Sequence, residues 1–167
     1  MKQSCSNRTI VQRKLRASLV CVAFLGVLLF GHEAPAQTIS TVTPLSFGQI
    51  AIKDYSSVGR VTIQSGGSYT YNSNVYIHTP PTRGEYSIVG GPPNTIYTVL
   101  MTPTSMPIPG PGGPFTLDNL AVEPALLITD AAGADTFYII GRLQTLGGGT
   151  PYGDGTYTTS FLVTVNF

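Results

Sequence analysis

Gly155-Thr156-Tyr157-Thr158-Thr159-Ser160-Phe161-Leu162-Val163-Thr164-Val165-Asn166-Phe167 closes the sequence with a near-unbroken alternation. Tyr157, Thr159, Phe161, Val163, Val165 and Phe167 fall on one side of an extended chain, and Thr158, Ser160, Leu162, Thr164 and Asn166 on the other. Burying each large apolar side chain is worth about 1.5 to 3 kcal/mol, while ordering each backbone unit costs about 1 to 2 kcal/mol. Such a strand does not order alone; it needs neighbours that complete its ladder and cover its face. Nothing follows Phe167 in this sequence, so those neighbours are expected upstream or in another molecule.

The residues before this strand share its character. From Gln37 onward there are 17 Gly, 12 Pro and 20 Thr, with 11 charged residues. No stretch of helical length keeps a 3.6-residue apolar period free of Gly, Pro or clustered β-branched residues, so the chain is predicted to be all-β. Strands are expected at Leu45 to Gly48, Arg60 to Gln64, Tyr86 to Val89, Ile96 to Thr102, Phe115 to Val122, Leu126 to Thr129, Thr136 to Leu143 and Tyr157 to Phe167. Tyr69 to Tyr71 and Val75 to Ile77 are expected to pair around Asn72-Ser73-Asn74. Turns at Ser65-Gly66-Gly67, Gly90-Gly91-Pro92-Pro93 and Asp154-Gly155 punctuate them in the manner of an antiparallel β-sandwich.

Charge is distributed unevenly. Of the nine Lys and Arg, Lys2, Arg8, Arg13, Lys14 and Arg16 precede the apolar run Leu19 to Phe30. That run is shorter than the roughly 18 to 20 residues a membrane-crossing helix needs, and Ala34-Pro35-Ala36 follows it as a small-residue cleavage signal. Residues 1–36 are therefore expected to be a signal peptide, with export through the inner membrane, no stable membrane insertion after cleavage, and a final place in the periplasm, at the cell surface or outside the cell. An uncleaved anchor is the competing reading. The remaining single domain, 37–167, carries four cations and seven anions, a net −3, which disfavours nucleic acid as a partner. Both cysteines, Cys5 and Cys21, lie in the leader, and Leu19-Val20-Cys21 lacks the small residue that lipidation favours. The exported domain must hold without disulfides.

Few residues suggest chemistry. His78 stands at a strand end with no nucleophile or metal-ligand setting around it. Asp118, Glu123, Asp130 and Asp135 form the densest carboxylate set, but Asp118, Asp130 and Asp135 each read as turn or strand-boundary groups, and the spacing fits no calcium loop. No cofactor, metal site or catalytic residue is expected, and the chain is read as a non-enzyme. Pro103 to Pro114 has five prolines and three glycines and reads as an exposed loop. Gly147 to Gly155 reads as a flexible turn rather than a phosphate cradle.

Three features carry a resemblance: Leu45-Ser46-Phe47-Gly48-Gln49-Ile50, the turn leading into Gly155-Thr156-Tyr157, and the ending Val163-Thr164-Val165-Asn166-Phe167. Together they resemble the bacterial domain of unknown function 4402 family, and the layout is similar to spore coat protein U and the common-pilus subunits assembled by chaperone and usher. That resemblance implies an immunoglobulin-like, pilin-like sandwich one strand short. A periplasmic chaperone and then another copy of the chain would supply the missing strand. Carried onto these residues, Tyr157, Phe161, Val163, Val165 and Phe167 would border the acceptor groove. Gln37 to Thr43, with Ile39 and Val42, would be the donor segment. Its apolar pair is spaced three apart, against the two-residue period of a strand. The expected function is an exported structural subunit of a surface fibre or coat; the alternative is a self-complete secreted or periplasmic binding module presenting its loops to a ligand.

Overall fold

The computed structural model describes residues 37–167; the expected signal peptide lies outside the described residues. Twelve strands and one 3-10 turn at Ser65–Gly67 make up its regular structure, and none of its helical segments is long and apolar enough to cross a membrane. The strands are β1 (Thr38–Thr43), β2 (Gln49–Ile52), β3 (Arg60–Ile63), β4 (Tyr69–Tyr71), β5 (Val75–Thr79), β6 (Gly84–Val89), β7 (Ile96–Thr102), β8 (Met106–Ile108), β9 (Phe115–Glu123), β10 (Leu127–Ile128), β11 (Asp135–Gln144) and β12 (Leu162–Asn166). Every pairing is antiparallel, and the fold is a β-sandwich.

One layer is a seven-stranded sheet organised by β11. The first half of β11 pairs β6 and its last three residues pair β3, along one edge; β9 runs along the other. β1 extends the sheet beyond β6, β4 beyond β3, and β8 beyond β9. The facing layer is in two pieces that share no ladder: a three-stranded sheet in the order β10, β7, β12, and the pair β2 and β5.

The alternation of β11 shows how sequence dictates this arrangement. Phe137, Ile139 and Leu143 are buried with Gly141 between them, while Tyr138, Ile140, Arg142 and Gln144 face outward and are half-exposed. Two apolar clusters result. Tyr86, Ile88, Tyr97, Leu127, Phe137 and Ile139 form one, under the three-stranded sheet. Val61, Val75, Met106, Ile108, Phe115, Leu117 and Leu143 form the other, under β2 and β5.

Several expectations are corrected. Leu45 to Gly48 makes a single bridge, Ser46 to Thr82, and the strand begins at Gln49. β4 and β5 do not pair with each other; β4 adds to β3 and β5 to β2. The reason is Asn72, whose Oδ1 accepts from the Arg60 amide at 3.0 Å while its Nδ2 donates to the Val58 carbonyl at 2.7 Å, tying the corner down as a crossing between layers. Pro103 to Pro114 is not wholly an exposed loop. Met106 and Ile108 are buried and flank an exposed Pro107, so the segment forms β8, at a sheet edge where a proline costs no ladder bond. The last strand is five residues long rather than eleven. Upstream of it the Tyr157 hydroxyl is shared between the carbonyls of Pro111 and Gly153, which holds that stretch against the loops instead of a ladder.

Candidate functional site

The candidate site is centred on β12. This strand pairs with β7 alone, from Leu162 opposite Thr102 to Asn166 opposite Thr98, so among the described residues its other edge is unpaired. An unpaired edge presents alternate N–H and C=O groups to whatever arrives beside it.

The side chains under that edge are only half covered. Phe161, Val163 and Val165 point inward as the alternation requires, yet each is half-buried, as are Val99 and Met101 on β7. Three side chains, Leu45, Leu120 and Phe161, pack against both apolar clusters, and all three are themselves half-exposed. The two halves of the core therefore meet through these three half-exposed side chains, beneath a second layer whose two pieces share no ladder.

Of the five residues expected to border a groove, the structure brings together Phe161, Val163 and Val165. Tyr157 sits at one end, edge-on to Phe115 with ring centroids 4.8 Å apart. Phe167 sits at the other, tilted against Tyr97 at 5.4 Å. The sequence reading missed Leu45, Leu120, Val99 and Met101. Leu120 is turned inward by a bulge: Asp118 lies opposite Arg142 and Ala121 opposite Ile140, so Asn119 and Leu120 together face Gly141. Asn119 takes a positive φ of 50°, which asparagine tolerates better than most residues. The Asp-Asn-Leu run inside an otherwise alternating strand was the available signal.

The site is almost free of charge. β7, β10 and β12 contain no ionisable acid or base other than the Tyr97 phenol, which burial and then its hydrogen bond to Asp135 (2.8 Å) push well above the ordinary range. The outer face of the same sheet exposes Ile96, Leu100, Ile128 and Leu162 among threonines.

The expected donor segment lies elsewhere. Residues 38–43 form β1 on the edge of β6, with Ile39 opposite Ile88 and a register shift between Thr41 and Thr43 that leaves Val42 unpaired in register. Ile39 and Val42 are both exposed.

The remaining polar residues are held in structural contacts. Asp118 is not a boundary group: mid-strand in β9, it accepts from Arg142 Nε at 2.8 Å and Nη2 at 2.9 Å and from the Gln144 amide. Glu123 ends its strand beside Arg83 at 3.5 Å, and Asp130 accepts from the amides of Ala132 and Ala134 in a turn. His78 is exposed on β5. Among the described residues no three His, Cys, Asp or Glu side chains gather as a metal site.

No curated protein and no solved structure matches this chain. Residues 38–167 match a family model, so this chain belongs to the Domain of unknown function (DUF4402) family.

Proposed function

We propose that this chain is an exported structural subunit of a bacterial surface fibre or coat, assembled by strand addition, with an immunoglobulin-like sandwich that another polypeptide completes. One observation carries the reading: among the described residues the last strand has one unpaired edge, and its inward Val163 and Val165, with Phe161 just before it, are only half-buried. An extended segment laid there would gain main-chain bonds from β12 and bury alternate side chains between the clusters. The similarity to spore coat protein U and common-pilus subunits, drawn from the motifs around Leu45 and the final strand, supports the same reading. Copies of the chain and a periplasmic chaperone are the proposed occupants, and no catalysis is assigned.

The test is to produce the exported chain and titrate it with a peptide of residues 37–43, following size by light scattering and binding by fluorescence anisotropy. Concentration-dependent multimers and saturable peptide binding are expected. A chain that stays monomeric at all concentrations and ignores the peptide rules the subunit reading out.

A second reading, a self-complete secreted binding module, is favoured by the loop region. Gly113 N and Gly153 N donate to the Pro151 and Pro111 carbonyls at 2.9 and 2.8 Å, and the Leu146 amide donates to the Tyr152 hydroxyl at 2.8 Å. Pro103 to Pro114 and Gly147 to Gly155 are thereby joined into one braced surface. Binding of a glycan by the monomer, abolished by changes in these loops, would distinguish it.

A further inference from the structure

β1 is joined to the sandwich in an unusual way. Five of its six residues are exposed and the sixth, Thr43, is half-buried; Ile39 and Val42 enter neither apolar cluster. The antiparallel ladder to β6 holds it, and that ladder is interrupted by the register shift before Thr43. Each net backbone hydrogen bond contributes about 0.5 to 1.5 kcal/mol, against about 1 to 2 kcal/mol to order each residue. Such a strand belongs to the low-stability end of local opening.

Its root is fixed. Pro44 follows β1, Leu45 is wedged in the seam between the clusters, and Ser46 exchanges backbone bonds with Thr82 at 3.0 and 2.8 Å. Detachment can therefore stop at Pro44 without disturbing the core. The freed arm of six residues spans about 20 Å, comparable with the free edge of β12. It is also uncharged, like the sheet that would receive it.

Resting on the strand-acceptor reading above, we propose that β1 is a stowed strand. Its pairing with β6 opposes assembly without forbidding it, and self-association requires it to leave β6 for the β12 edge of a second copy. The β6 edge is then a competing, intramolecular berth, and assembly is governed by the balance between the two.

Ser40 lies directly opposite Ser87 in the ladder, which allows the arm to be locked. In the exported chain, Ser40→Cys with Ser87→Cys is oxidised, the cross-link is verified by mass spectrometry, and size is followed by light scattering. The oxidised form is expected to lose at least nine-tenths of the multimer formed by the reduced form, and reduction is expected to restore it. It should still bind the peptide of residues 37–43, because its groove is untouched. Equal assembly of the locked and reduced forms overturns the proposal. Refusal of the peptide by both forms removes the acceptor groove, and the proposal falls with it. Independently of the cross-link, amide exchange across 38–43 in the unmodified chain is expected to be at least tenfold faster than across 135–139; equal protection overturns the stowed strand.

Discussion

Asp118 is where polar side chains of three strands converge: Arg142 and Gln144 from β11 contact it directly, and Arg60 from β3 reaches Gln144 at 3.0 Å. The Arg142 guanidinium holds its carboxyl below the usual range, against a smaller opposing effect of burial. An unperturbed aspartate titrates near about 3.9. As pH falls the unfolded chain takes up this proton first, so the contribution is complete above about pH 5 and is lost as pH drops through the lowered native value. Asp118→Asn is expected to cost about 1 to 3 kcal/mol at pH 7. The gap between wild type and variant in urea midpoint should narrow at pH 3. An unchanged gap between the two pH values would show that the carboxylate charge is not what stabilises this position.

Within β12 the two faces should respond differently. Val163→Asp places a carboxylate in the half-covered core and is expected to cost several kcal/mol, with loss of folding or of peptide binding. Thr164→Asp, on the outward face, should stay within about 1 kcal/mol of wild type, and His78→Ala should change neither stability nor binding. Circular dichroism melts with peptide titration check all three; comparable damage from Val163→Asp and Thr164→Asp would contradict the assigned faces. Legibility in the sequence followed local chemistry at this scale. β7 runs over Ile96–Thr102 as its alternation predicts, and the inward set of β11 follows its period of two. β2 and β8 were not legible as strands, because the partner of β2 is chosen by tertiary context and β8 lies in a run whose prolines read as a loop. Of the five residues named for the groove, Phe161, Val163 and Val165 pack against the cluster under the three-stranded sheet. Leu120 was hidden by a bulge that reverses facing within one strand, and Leu45 by a segment that reads as a strand but serves as a wedge.

The whole domain is two apolar halves under one continuous sheet, joined where the opposite layer is divided. Filling the division should stabilise both halves together. A peptide of residues 37–43 at about 100 times its Kd is expected to add about 2.7 kcal/mol. The resulting rise in Tm should appear equally by far-ultraviolet circular dichroism and by tyrosine fluorescence, since the three joining side chains couple the clusters. No rise at saturating peptide would mean that the seam is already satisfied.

At β8 the margin of the large sheet ends in Met106-Pro107-Ile108, with Pro107 exposed and paired in register to Thr116. A ring nitrogen has no hydrogen to offer, so this border is blunted against lateral accretion. On the proposed strand-addition reading, units that join through the β12 flank while such a border refuses to zip would favour spinning a thread, one after another, over weaving a mat.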